Sequence, residues 1–592
     1  MEYTRVPAWI LKRTGKLRIR AENHMIHLSL LVCSVHLFYL VTHKKKEGRI
    51  DLSFDKSCFL IPCQRVLKWN CEVFKVWFRI VLNNLWWELL QAAEELLALA
   101  KIACPIILTS LLLFSRSIVT TFFMGHFGQS ELAGSSLGMG FGNVSGISLM
   151  KGLSVGMEPI CCQAYGAKKM SVISQTYVKT IFLLFLVCIP IILLWLNIEP
   201  IFLLLGQDPG VTKIAKVYMV FSIPDLLGQA NLFPLRIFLR TQGVTTPLTI
   251  VAICATILHL PIIYFLAVYL KLGTKGVALA SGWYTININL GLLGYLLLSK
   301  TPLKPWNGPT ILTLFQGWRP LLALALPSAC SVCLEWWWYE IMLFLCGLLS
   351  NPEASLAAMG IIIQTTGLLY VFPYSLGLGL TTRIGHRLGA GQPLRAQLTS
   401  IVGLVVAVAW GFSAFALMVA VKSVWGKLFT SESQVLVLLS GALPIVGLCE
   451  IGNSPQTAAC GVLTGSARPT VGARVNFITF YLIGLPVAVL MGFKFKIGFQ
   501  GLLFGLVAAQ GSCMCMMVYT LMQTDWKHQT KRAEELTRAA GETDDLEATL
   551  LEWSPCRPVP TIKLTSMEVN YNTYTECQIS LSLRDCRVID VL

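Results

Sequence analysis

Two carboxylates stand close together inside an otherwise apolar run, Cys333-Leu-Glu335-Trp-Trp-Trp-Tyr-Glu340. Placing an ionisable group in a bilayer core costs about 2.5–3.5 kcal/mol even on insertion scales, so such a group is a functional hypothesis by default. Five helical steps turn about 500°, so these acids face about 140° apart. They can border one wide cavity but not share a proton directly. Desolvation favours the protonated form of a carboxyl, so the chemistry open to them is binding and releasing protons. The alternative is a structural acid bonded to a neighbouring helix. Asp225 is the next candidate, in Ile223-Pro-Asp225-Leu-Leu-Gly-Gln229-Ala-Asn231. Pro224 frees a carbonyl beside it, so packing is an equal reading. Asn453, Gln456, Tyr339, Tyr370 and Gln163 are candidates for a cavity wall, with Trp336, Trp337, Trp338 and Phe372 as further aromatic surface. Glu450 shares a span with Asn453, and Glu158 with Gln163 reads as the brace of a tight loop.

The elements that position these residues are set by composition. The chain has 592 residues, 55% hydrophobic and only 13% charged, with net charge +16. That charged share is about half the ~25% of soluble domains. Mean hydropathy is +0.65. A soluble fold of this length could not cover its surface so. Ile250–Leu270, Gly276–Ser299 and Ile401–Val421 contain no Asp, Glu, Lys or Arg. Each meets the ~20 residues that cross a bilayer as helix. Twelve spans are expected: Leu97–Met124, Leu132–Cys161, Val178–Leu196, Ile214–Leu235, Leu248–Leu270, Gly276–Ser299, Leu321–Leu349, Leu356–Leu380, Leu398–Val421, Val435–Gly452, Val475–Phe493 and Ile497–Met522. Pro190, Pro224, Pro261, Pro444 and Pro486 fall inside them and mark bends.

The spans repeat. Pro105 and Pro327, Asn231 and Asn453, Gly243 and Gly465, and Pro247 and Pro469 are 222 residues apart; Gly156 and Gly379, Gly166 and Gly389, and Ala167 and Ala390 are 223 apart. Shared membrane composition would match Leu and Val rather than Asn, Gly and Pro. Six spans per copy is even, so both copies enter the membrane in one orientation. The expected fold is an all-α membrane protein with twelve transmembrane helices in two pseudo-symmetric six-helix lobes. The expected divisions are a basic extension at 1–88, an N-lobe at 89–300, a linker at 301–318, a C-lobe at 319–523 and a cytoplasmic tail at 524–592. Even-numbered loops carry twelve basic residues, Arg236, Arg240, Arg383 and Arg387 among them, and odd-numbered loops carry eight. That bias puts the start of the core inside. Met25–Thr42 reads as a marginal helix or interfacial segment without a convincing signal-peptide cleavage site. Lys527–Glu552 reads as a charged helix.

Gly134, Gly138, Gly142 and Gly146 recur every four residues and read as a close-packing face. No phosphate-binding GxxxxGK[ST] and no HExxH occur, and the 19 cysteines lie mostly in apolar runs, with Cys330-x-x-Cys333 unable to complete a zinc site alone. No metal, cofactor or catalytic centre is expected. Nucleic acid is not an expected partner, because no basic face is interleaved with aromatics.

Several motifs jointly resemble plant-type multidrug and toxic compound extrusion (MATE) transporters, the DETOXIFICATION proteins, over residues 89–523. They are Leu132-Ala-Gly134, Gly156-Met-Glu158-Pro-Ile-Cys-Cys-Gln163-Ala-Tyr-Gly166-Ala, Pro234-Leu-Arg236-Ile-Phe-Leu-Arg240-Thr-Gln-Gly243, the Glu335 to Glu340 run, and Arg383-Ile-Gly-His386-Arg-Leu-Gly389-Ala-Gly391. The resemblance implies two lobes forming a V around a cavity that faces alternate sides, and export of organic compounds in exchange for protons. It implies coupling roles for Glu335 and Glu340. Its tenth-helix pattern Asp-Ser-x-Gln reads Asn453-Ser-Pro-Gln456 here, and Asn cannot titrate. Cys162 and His386 also depart from the pattern, with Gly and Asn usual there. The expected protein is a proton-coupled exporter of small organic compounds, not an enzyme, working as a monomer in a plasma or endomembrane. Protonation would weaken binding of a cationic substrate. Alternatives are a related flippase, a proton-independent channel, a membrane enzyme, or a regulatory or scaffold role for the tail.

Overall fold

The computed structural model describes residues 56–299 and 317–552, with side chains from 89 to 299 and from 317 to 541, Gln129 excepted. The expected segment Met25–Thr42, nearly all of the linker and the sequence after Glu552 lie outside the described residues. Contacts divide the chain into Met1–Leu90 and Gln91–Leu592, and the second unit contains the site.

All described regular structure is helical. The long helices are α1 (Lys56–Phe127), α2 (129–166), α3 (Met170–Leu196), α4 (209–241), α5 (Thr246–Tyr269), α6 (Thr274–Ser299), α7 (Arg319–Cys346), α8 (Pro352–Gly389), α9 (Pro393–Val421), α10 (Ser433–Gly465), α11 (Pro469–Lys494), α12 (Phe499–Met522) and α13 (Trp526–Glu552), with short turns of helix at Ile198–Leu204 and Trp425–Leu428. Among the described residues nine are long and apolar enough to cross a membrane by length and composition. The other three of the twelve expected spans explain themselves. α2 is interrupted by a widened turn at Asn143–Ile147 and again at Gly156, and α4 breaks at Ser222 ahead of Pro224. α6 carries Ser281, Thr285, Asn287 and Asn289 along its length. Prolines bend several of the rest. Pro261 precedes the widened turn Tyr264–Tyr269, and Pro486 sits between Phe477–Gly484 and Leu490–Lys494. A proline removes one intrahelical donor, and a wider turn absorbs the mismatch.

The glycine face of α2 works as close packing. A Cβ on Gly134 would meet Ile214 Cβ at 2.6 Å, one on Gly138 the Ala215 carbonyl oxygen at 3.2 Å, one on Gly142 the Met219 Sδ at 3.4 Å, and one on Gly146 the Trp195 ring at 2.7 Å. The first three lie against α4 and the fourth against α3. Gly166 and Gly389 make a reciprocal contact between α2 and α8. A side chain on Gly166 would overlap the His386 carbonyl, and one on Gly389 would overlap the Gln163 carbonyl. Gln163 and His386 are themselves 223 residues apart, so the contact respects the repeat.

Several basic residues expected in loops are helical, Arg319, Arg395 and Arg474 near helix ends and four others further in. Arg236 and Arg240 lie inside the second piece of α4, and Arg383 and Arg387 inside α8. Pairing explains Arg240, Arg383 and Arg387: Arg240 bonds Glu158, while Arg383 and Arg387 both bond Glu95 of α1. The tail helix begins one residue before its expected start. α13 lies across α2, α3, α7, α8 and α9. Its Trp526 and Ala533 join the hydrophobic cluster of the second half, and Leu536 and Ala540 join that of the first. Burial, with Arg532 of α13 beside it, pushes the Arg468 guanidinium down to about 10.

Candidate functional site

A cavity of about 620 Å³ lies between the two sets of six helices. At one end the halves are sewn together. Gly152 and Gly156 of α2 press on Ala329 and Ala325 of α7. Gln163 donates to the Gly465 carbonyl at 2.9 Å, and His386 Nε2 meets the Thr241 carbonyl at 2.8 Å. Glu95 ties α1 to α8 through Arg383 at 2.9 Å and through Arg387. From this seam the cavity reaches Thr120, Gly138 and Glu340, near the opposite ends of their helices.

Eight charged side chains line the space: Arg116, Lys151, Glu158, Asp225, Arg236, Arg240, Glu335 and Glu340. Two of the acids are matched. Arg240 and Glu158 form an ion pair at 2.5 Å with their side chains 9% and 3% exposed. Arg116 of α1 reaches Asp225 at 3.3 Å. Thr285 of α6 donates to the same carboxylate, as does Gln229 at 3.4 Å. Asp225 therefore ties α1, α4 and α6, and it can do so because the α4 break at Ser222 aims the first turn of the second piece inward.

The other two acids have no such partner. Glu335 and Glu340 both line the cavity, as their 140° separation on α7 allows. Neither makes an ion pair or hydrogen bond among the described residues, and the charge that acts on Glu335 is the Lys151 ammonium. Lys151 is held between rings, 4.6 Å from Trp336 and 4.4 Å from Tyr374. Cation–π contact of this kind stabilises a desolvated ammonium without neutralising it. Tyr339 and Tyr370 share the wall. A side chamber of about 110 Å³ continues from Lys151, Glu335 and Tyr370 towards α10.

Three expected wall residues stand elsewhere. Gln163 is buried in the seam. Asn453 and Gln456 are buried on α10, away from the main cavity lining, and Asn453 donates to Glu450 at 3.1 Å. Glu158, expected to brace a loop, sits in the first turn of the helical piece Met157–Gly166. Of the other aromatics, Trp338 is fully buried against Phe480, and Trp337 donates to the Val144 carbonyl at 3.2 Å. Phe372 stacks on Trp410 at 4.1 Å. Arg116 and Lys151 belong to the site although only acids drew attention in the sequence. The signal was the same one, a charge inside an apolar run. Among the described residues no group of His, Cys, Asp and Glu could hold a metal ion, and the described cysteines are free.

Comparison with known proteins adds an independent line. A family model described as MatE matches twice, at residues 105–265 and 327–490, with starts separated by the repeat offset. The Arabidopsis thaliana protein DETOXIFICATION 53 is 60% identical over 458 residues, covering 77% of this chain and 94% of that relative. DETOXIFICATION 48 of the same plant is 49% identical over 452 residues, covering 76% and 85%. The crystal structure of the eukaryotic MATE transporter AtDTX14 superposes with TM-score 0.73 at 30% identity, covering 76% of this chain and all of that one.

Proposed function

This chain belongs to the MATE family of multi-pass membrane transporters, and on that footing we propose that it exchanges protons for small organic compounds and exports them by alternating access. The observation that carries the reading is the pair Glu335 and Glu340, on the cavity wall with no basic group within bonding distance among the described residues. An unpaired carboxyl in an apolar surround changes charge at the least cost, because neither state is locked by a neighbour. Ionised, Glu335 attracts a cationic or polar aromatic compound among Trp336, Tyr339 and Tyr370. Protonated, it releases that compound, and the two states bind the ligand differently, as exchange requires. Asp225 is assigned a different task, because Arg116 holds its charge. It fixes three helices of the first half around the wall.

The one-sided seam supports alternation. The halves meet at the Gly166 and Gly389 end, while the cavity extends towards the other. Opening the seam would require loss of the Glu95 and Gln163 contacts and closure near Thr120 and Glu340. Substrates of this reading are xenobiotics or secondary metabolites, and the unit is a monomer. Vesicles with an imposed pH gradient and a panel of labelled aromatic compounds test it. Uptake that follows the gradient in the parent and fails in Glu335→Gln and Glu340→Gln is expected. Full transport by both variants, at normal expression, removes the carboxylate mechanism.

A further inference from the structure

Two cations on the cavity wall have no carboxylate of their own. Of the eight charged side chains there, Arg240 with Glu158 and Arg116 with Asp225 are matched pairs. Glu335 and Glu340 remain on one side, Lys151 and Arg236 on the other. Arg236 stands one turn before Arg240 on α4, so two guanidiniums face a single acid, Glu158, which bonds Arg240. Arg236 makes no ion pair or hydrogen bond among the described residues, and the groups whose charge reaches it are Tyr374, Arg240, Tyr284 and Glu158. Lys151 forms no ion pair there either, and its ammonium rests on the Trp336 and Tyr374 rings. Both side chains are only half-buried and open onto the cavity. Tyr374 of α8 is the neighbour they share, and its ring stacks on Tyr370 with centroids 5.6 Å apart. The free acids lie differently. A Cβ on Gly140 would stand 3.8 Å from Glu340 Oε2, and Gly140 precedes Lys151 by eleven residues, about 16 Å along α2. The cavity therefore has a basic pole on the seam side, walled by rings, and an acidic pole at Glu340, with Glu335 nearer the first.

We propose that Lys151 and Arg236 form an anion subsite that takes the carboxylate, or a like acidic group, of an aromatic ligand stacked beside Tyr370 and Tyr374. This names the substrate class of the cavity and rests on the reading that the cavity carries the exported compound. A desolvated cation is costly until it is paired, and a guanidinium offers a carboxylate two parallel donors. The rings hold Lys151 in place without neutralising it. An aromatic compound with an acidic group at one end and a basic or polar group at the other satisfies both sides of the wall. Its acid meets Lys151 and Arg236, and its other end meets Glu335, where a proton displaces it. A plain cation uses Glu335 alone and faces two unbalanced positive charges.

The test uses rhodamine 110, which carries a free carboxylate, and rhodamine 123, its methyl ester, so that the two dyes differ in that group alone. Full-length protein in nanodiscs of zwitterionic lipid gives both affinities by fluorescence anisotropy, and vesicles with an imposed pH gradient give transport. The parent is expected to bind rhodamine 110 about tenfold more tightly than the ester, the scale of a charge-assisted contact. Arg236→Gln and Lys151→Gln are each expected to cut that preference by about threefold, and the double variant to abolish it. Arg236→Lys keeps the charge but not the planar fork, and is expected to keep part of the preference. A purely structural role would weaken both dyes together; an unmoved ratio in the folded variants overturns the proposal, as does a parent without preference for the free acid. If Arg236→Gln does not fold, Lys151→Gln decides on the same ratio. Full gradient-driven transport of both dyes by Glu335→Gln sinks the exchange reading and leaves the binding preference to stand. Lost transport in Glu335→Gln beside an unmoved ratio in the Lys151 and Arg236 variants sinks only the anion subsite.

Discussion

The acids of the two halves live in opposite circumstances. In the first half Asp225 has Arg116 and Glu158 has Arg240, each pair joining distant segments of the chain. In the second half Glu335, Glu340 and Glu450 have no basic partner within bonding distance among the described residues. A carboxylate beside a guanidinium is held ionised and acts as a tie. One without a cation has a charge that conditions can change. The repeat gives the two halves matching helices and turns, yet Arg116 corresponds to Trp338 and Asp225 to Gly447 at the 222-residue offset. Two similar scaffolds carry different electrostatics: under the proposed exchange, one stays fixed while the other changes state.

Removing an unpaired acid should then cost function and spare the fold, and removing half of a pair should do the reverse. The largest effect is expected for Glu335→Gln, a loss of about 100-fold in gradient-driven transport with unchanged melting temperature in detergent. Next comes Arg240→Ala, which strands Glu158 and is expected to cost about 3–5 kcal/mol of stability. Thermal melting checks it, and Glu158→Met with Arg240→Met should recover most of the loss. Gly389→Ala forces a methyl against the Gln163 carbonyl, and an overpacked contact costs about 1–3 kcal/mol. The fold should persist while hydrogen exchange at residues 163–169 accelerates as the seam loosens. Smallest is Trp526→Ala in the tail helix. Its expected signature is faster proteolysis near residue 526, with transport within about twofold of the parent. A transport defect there larger than that of Glu335→Gln would move the controlling element from the cavity to the tail.

How much of this the sequence disclosed follows from what forces a pattern. A bilayer demands long apolar runs, so the spans and their repeat stand out, and the same demand exposes Glu335 and Glu340. A partner in another helix leaves no local trace. Asp225 and Arg116 are separated by 109 residues, and nothing near either names the other. For the same reason Arg236, Arg240, Arg383 and Arg387 read as loop charges although they are helical. Gln163, Asn453 and Gln456 look like wall residues because polarity in a span suggests a cavity. Their faces are set by packing: Gly389 against Gln163, and Gly452 against Gln510. Glu450 was visible as a buried acid, but its isolation from any cation is a property of the assembled helices.

The most direct measurement of the central claim is proton movement by the purified protein, reconstituted in vesicles with an internal pH-sensitive dye and challenged with ethidium. Proton flux that accompanies transport in the parent, survives in the Glu158→Met and Arg240→Met double variant, and vanishes in Glu335→Gln is the predicted result. Equal flux in the parent and in Glu335→Gln would contradict it.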